Sequence, residues 1–163
     1  MAAETLTSTQ AGANYPVAGP GDAFNLKVST GTYAIAANVE DGDIFEMCKV
    51  PAGAVVVGGW LIGADLDTGI EALDMDLGWA SNGTDAADPD GFGNLGVLTG
   101  DVSVHLPVAG LYIPLQGVLQ ATGPKRFSAE TTVQLEANAA ATTFAAGAVS
   151  VVVLYFIDPN FTL

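Results

Sequence analysis

From Asp22 onward the chain is written in short hydrophobic runs separated by turn-forming residues at the 8–12-residue spacing of an all-β sandwich or barrel. The clearest run is "LDMDLGW", which places Leu73, Met75, Leu77 and Trp79 on a core face and Asp74, Asp76 and Gly78 on a solvent face. "RFSAETTVQLEA" repeats the period of two, with Phe127, Ala129, Thr131, Val133, Leu135 and Ala137 inward and Glu130, Thr132, Gln134 and Glu136 outward. Strands are predicted over 23–29, 32–39, 43–50, 54–62, 71–79, 101–106, 111–120, 126–136 and 147–157. "VSTGTY" and "NVEDGDI" are expected to connect them, with Gly31 and Gly42 free to take positive φ.

The closing run, "AVSVVVLYFI", is apolar on both faces. A strand of that kind is covered on one side by its own core and on the other by more protein. "LEANAAATTFAAGA" has room for a short helix, but Thr142, Thr143 and Gly147 argue for a loop. The first 21 residues follow neither period and contain Pro16 and Pro20. They predict an extended arm ahead of one domain over 22–163, with Tyr15 and Pro16 as candidate contacts. The fold class expected is an antiparallel β-sandwich, jelly-roll-like, with this N-terminal arm.

Composition narrows the function. Eighteen acidic residues stand against Lys27, Lys49, Lys125 and Arg126, a formal charge of −14. Such a field repels phosphate backbones, so nucleic acid is not an expected partner. The single cysteine, Cys48, excludes an intrachain disulfide framework and reads as a small core residue. "MAAETLTSTQ" lacks the cationic and apolar segments of a signal peptide, and the run Phe144–Ile157 is too short to span a bilayer as a helix. No membrane association is expected, and synthesis in a host cytoplasm is.

"GFGNLG" in "DPDGFGNLG" has the G-x-G-x-x-G spacing of dinucleotide sites. Such a site needs a strand running in and a helix starting within it. Here Pro89 and the Asp-rich stretch precede it, a β-branched stretch follows, and no lysine or arginine lies near. The reading is a long flexible loop over 81–100. His105, the only histidine, does not form a triad with Ser103 and Asp101, whose side chains would stand parallel on one strand. For calcium, Asp65, Asp67, Glu71, Asp74 and Asp76 form one carboxylate group and Asp85, Asp88 and Asp90 another; neither has the EF-hand spacing. The second is the better candidate, because a loop can curl around an ion. A glycosidase cleft would need exposed aromatics, and Trp60 and Trp79 both read as core. No catalytic constellation and no cofactor site emerge. The only basic pair, Lys125 and Arg126, sits after a Gly-Pro turn as either a solvated turn or a contact with an acidic neighbouring subunit.

The segment Tyr33 to Gly83 carries "DGDIFEMCKVPAGA", an apolar strand, "DLDTG" and an alternating strand ending "DLGW"; the chain closes with "VSVVVLYFID". In these parts it resembles the head decoration, or cement, proteins of tailed bacteriophages. The resemblance implies a β-sandwich on the outside of an icosahedral shell. It would bind the major capsid protein, often as a trimer, and clamp adjacent capsomers against internal pressure. Pro51 and Gly53 would be fold markers. The alternative expectation is a carbohydrate- or calcium-binding β module of a phage tail or cell surface.

Overall fold

The computed structural model describes residues 26–70, 72–97, 111–158 and 161. Within them the chain forms β1 (Lys27–Ile35), β2 (Ile44–Val50), β3 (Ala54–Gly63), β4 (Asp74–Trp79), β5 (Asp88–Val97), β6 (Leu111–Pro114), α1 (Val118–Ala121), β7 (Lys125–Arg126), β8 (Thr131–Ala139) and β9 (Gly147–Ile157). The predicted arm, with Tyr15 and Pro16, lies outside the described residues, as do the strand over 101–106 with His105 and the side chain of Glu71.

Two antiparallel sheets face each other. Sheet A has the order β1-β9-β3-β6, with β7 on β3 beyond the end of β6; sheet B has the order β2-β8-β4-β5. The pairings are nested: β1 with β9, β2 with β8, β3 with β6 and β4 with β5. Nested pairs that alternate between two sheets are a ribbon wrapped on itself, the jelly-roll arrangement.

Period-two alternation places the core. Leu61, Leu73, Met75, Leu77, Phe92, Phe127, Val133, Leu135, Val151 and Val153 are all essentially inaccessible to solvent. Trp79 meets Phe92 and Phe127 edge-on at centroid distances of 4.9 and 5.2 Å, and its indole N–H donates to the Ala86 carbonyl at 2.9 Å.

Five expectations are corrected. The predicted break at "VSTGTY" is absent, since β1 runs straight through it along β9. Gly31 has no positive φ; a Cβ there would fall 1.7 Å from the Met47 carbonyl oxygen, so the glycine serves close approach of β2. Gly42 does take positive φ, at 88°. The predicted strand over 111–120 stops at Pro114 and gives way to α1, while 126–136 divides into β7 and β8. The largest correction is β5: "DPDGFGNLG" lies on a strand paired to β4, not in a loop. Gly93 (φ 150°) and Gly96 (φ 61°) occupy conformations that L side chains disfavour, and the pairing slips twice. A Cβ at Gly91 would meet the Trp79 ring at 2.2 Å. These glycines shape an irregular strand around a tryptophan, and no helix begins among them.

Candidate functional site

The alternation that buries one face of sheet A displays the other. Along β9, Val149, Val151, Val153 and Tyr155 are buried, which leaves Ser150, Val152, Leu154 and Phe156 on the outside, each half-buried. Register aligns Val152 with Trp60 and Thr30, Ser150 with Ile62 and Thr32, and Leu154 with Val28. Trp60 and Ile62 are in turn beside Pro114 and Tyr112. The outer face is therefore an apolar band reaching from Val28 through Val152 and Leu154 to Trp60 and Tyr112, whose rings stack at 6.2 Å. Val28 is 57% exposed and Ile62 43%. Trp60, which reads as core in the sequence, is half-buried on this outer face, because the bulge between Val56 and Gly58 shifts the alternation of β3. The two-sided apolar terminal strand is as expected; its outer side is half-buried, with Phe161 meeting Phe156 edge-on at 5.8 Å.

Strand alternation separates the basic pair. Lys125 points inward, its Nζ 5.0 Å from the centroid of Trp79 and 5.4 Å from that of Phe127, an intramolecular cation–π contact. Arg126 aligns with Val55 and through it with Phe156, at a corner of the apolar band. Its guanidinium Nε is buried without a hydrogen-bond partner.

Of the calcium candidates, Asp85 is occupied by protein donors. Its carboxylate accepts from the Asn82 side-chain amide and from the Ser128 N–H, both at 2.8 Å, while the Asn82 carbonyl oxygen accepts the Thr84 and Asp85 N–H groups. Burial alone would raise its pKa, but these donors and the Lys125 charge hold it below the ordinary value. Burial, followed by the hydrogen bond and charge of Asp90, pushes Asp88 above its ordinary value against the pull of Lys125. Among the described residues no three His, Cys, Asp or Glu side chains converge as they would around an ion.

Two other carboxylates differ from expectation. Asp67 is fully buried and accepts five hydrogen bonds: from the N–H groups of Ala72, Leu73, Thr142 and Thr143 and from the Thr142 hydroxyl, at 2.8–3.3 Å. Burial works to raise its pKa, and the four backbone donors overcome that, holding it well below the usual carboxylate range. Asp67 thereby ties the exit of β3 to the entry of β9 and the start of β4. Asp76 does lie on the outer face of β4, but only 7% exposed, so that face is not the open solvent face expected. Its Oδ2 accepts from the Asn138 amide at 2.7 Å.

Concave features are modest. A groove of about 570 Å³ opens between the end of β1 and the start of β2, with Tyr33 and Phe45 in ring contact at 5.3 Å and Asp43 and Glu46 on its rim. Cys48 is half-buried; burial pushes its thiol up, against a smaller effect of Ser29, as fits an unreactive packing residue. No helix among the described residues is long and apolar enough to cross a membrane.

The geometry is that of a jelly roll whose most developed surface is an apolar sheet face. The sequence matches no protein-family model and no curated protein. Solved structures do match. A chain of the cyanophage Pam1 capsid asymmetric unit is similar over 90% of this chain and 96% of its own, with 25% identity and a TM-score of 0.63. A chain of the acidic stable capsid of Helicobacter pylori bacteriophage KHP30 shares the fold at 15% identity and TM-score 0.56, over 83% and 89% of the two chains. A chain of the Ralstonia phage GP4 capsid shares it at 24% and 0.55, over 81% and 85%.

Proposed function

We propose that this chain is a non-enzymatic structural protein of a phage virion. It binds the outer surface of the capsid and stabilises contacts between capsomers, acting as a homotrimer with the outer face of sheet A as its adhesive surface. The observation that carries the reading is that apolar band, on a chain similar to a phage-capsid chain over nearly the full length of both. The partners are then the major capsid protein and sister subunits, and the location is the capsid exterior after synthesis in the host cytoplasm.

The physics favours assembly through that face. Monomers of charge −14 repel, but at physiological salt exposed charges are screened within ~8 Å, whereas ~25 cal/mol per Å² of apolar burial over ~800 Å² per subunit contributes on the order of 20 kcal/mol before ordering costs. Three identical feet also make the second and third contacts effectively intramolecular. Arg126, at the corner of the band, is the basic residue best placed to meet an acidic neighbour. The 1–21 arm, with Tyr15 and Pro16, would add contacts across the shell.

The test is binding of purified protein to empty capsids lacking it, with oligomeric state from light scattering. A trimer that binds and raises the shell's melting temperature is the expected result. The double variant Val152→Asp with Leu154→Asp should lose at least 100-fold in one of these associations while keeping its own melting temperature. A monomer that ignores capsids ends the proposal.

A further inference from the structure

The chain contains one Asn-Gly pair, Asn82–Gly83, in the turn between β4 and β5. Asn-Gly is the asparagine sequence most prone to deamidation, because glycine leaves the following backbone nitrogen unhindered. Gly83 takes φ 85°, and a Cβ there would meet nothing within 4 Å, so backbone conformation and not crowding calls for glycine. The labile pair is built into the turn. Yet the half-buried Asn82 amide is held at both ends. Its carbonyl oxygen accepts the N–H groups of Thr84 at 2.9 Å and Asp85 at 2.6 Å. Its nitrogen donates to the Asp85 carboxylate at 2.8 Å, the Thr131 hydroxyl at 2.6 Å and the Ala129 carbonyl at 3.3 Å. Asp85 also accepts the Ser128 N–H, so this one side chain fastens the turn to the entry of β8.

Deamidation starts when the Gly83 nitrogen, its proton lost, attacks Asn82 Cγ. The Cγ–Nδ2 bond then breaks, ammonia leaves with a proton regained from water, and water opens the cyclic imide to aspartate or isoaspartate. Ring closure requires the amide to turn its face to that nitrogen, which means giving up its bonds to 84–85 and to 129–131. We propose that Asn82 is a one-way chemical latch: the closed turn protects the amide, and opening of the turn exposes it to conversion into a carboxylate that cannot be taken back. A carboxylate at this position would face the Asp85 carboxylate and the Ala129 carbonyl, neither of which has a proton to give. Asp85 is itself held below its ordinary pKa and so is charged at neutral pH. The turn also carries the Ala86 carbonyl that receives the Trp79 indole N–H, so unlatching loosens a core residue. The inference does not depend on binding to capsids.

The test is ageing of the full chain in mildly alkaline buffer, native and in concentrated urea, with deamidation at Asn82 followed by peptide mass mapping. The native chain should react at least ~100-fold more slowly, in proportion to the rarity of local opening. Thr131→Val and Asp85→Ala each remove an acceptor of the amide nitrogen and should speed the native reaction about tenfold while leaving the rate in urea unchanged. Val151→Ala, which weakens the core under the other sheet, should leave the native rate as it was. Asn82→Asp should melt about 4–8 °C below the wild type at neutral pH, with the gap narrowing below about pH 4. A native rate within tenfold of the rate in urea overturns the proposal. A native rate above it does so too, since the Thr84 and Asp85 N–H groups would then be acting as an oxyanion hole. Equal acceleration by Val151→Ala would assign the protection to the whole fold, and an Asn82→Asp chain as stable as the wild type would show that the latch can close again; either result overturns it.

Discussion

On the outside of sheet A the register brings together Val28, Trp60, Ile62, Tyr112, Val152 and Leu154; on the outside of sheet B the same geometry brings together Glu46, Asp74, Asp76, Gln134, Glu136 and Asn138. Both faces belong to antiparallel sheets over one shared core. The alternation that fills the core also fixes what each outer face shows, and only the identity of the residues at alternate positions differs. Sheet A is also the more regular, with nine consecutive rungs between β1 and β9, whereas the pairings of β2, β4 and β5 in sheet B all contain slips. A regular apolar face is suited to lie flat on another protein. An irregular acidic one repels a second copy, even though Asp76 and Gln134 on it are themselves closed over.

The comparison is open to attack at several points. The largest effect is expected inside sheet B, at Phe92, which would be an indifferent loop residue had β5 been a loop. Phe92→Ala should cost about 3–5 kcal/mol in chemical denaturation, as for other buried aromatics. A cost below about 1 kcal/mol would return "GFGNLG" to loop status and leave sheet B with three strands.

Next in size is the tie between the sheets. Asp67→Asn replaces acceptor oxygens by an amide that must face N–H donors, and should cost about 2–3 kcal/mol at pH 7, a fall in melting temperature of roughly 4–12 °C. A carboxylate held below its unfolded pKa gives stability that is complete above the unfolded value, near 4, and is lost as pH falls toward the folded one. The gap between wild type and variant should thus be widest at neutral pH and narrow below about pH 4. A gap independent of pH would mean that shape, not charge, makes Asp67 matter.

The smallest effect is expected at Asp88, where the sign is opposite. A carboxylate raised above its unfolded pKa gives stability that is present below the unfolded value and lost as pH rises through the folded one. Asp88→Asn should therefore melt slightly above the wild type at pH 7, and the advantage should vanish at about pH 4 and below. If it melts lower at pH 7, Lys125 outweighs burial and Asp90 at that site.

Much of this was readable in the chain. The strands with strict alternation or continuous apolar text, β2, β3, β4 and β9, fall within a few residues of the predicted spans, because a core-facing side at period two leaves a direct imprint; β8 keeps the predicted alternation but begins only at Thr131. β5 left none: glycines at 91, 93 and 96 erase the alternation, and their purpose, to admit the Trp79 ring and two slips in pairing, exists only in three dimensions. α1 is a single turn whose N-cap, Gly117, has no side chain to cap it, so no boundary signal marked it. The outer apolar face of sheet A was half legible. The two-sided apolar text of β9 announced an apolar outer side, but Trp60 in "AVVVGGWLI" read as core, because the bulge that turns it outward leaves no mark in the sequence. That Val28 and Tyr112 join it depends on pairings between distant strands, which no local pattern encodes. Asp74 and Asp76 misled for a related reason: alternation says which face a residue is on, but not whether the neighbours close over it.

The pairing of β1 with β9 also sets how the molecule bears load. Lys27 sits beside Tyr155 and Ile35 beside Gly147, so Leu26 and Asp158, which flank the two strands, are at the same end of one ladder. A pull applied through those two points acts on the ladder like a zipper, opening the Lys27–Tyr155 rung first and the others in turn, each at low force. A push spread over the face of sheet A loads all nine rungs together. The same two strands are mechanically soft toward their ends and stiff toward their face, so a pull at the ends would part them long before a load spread over the sheet.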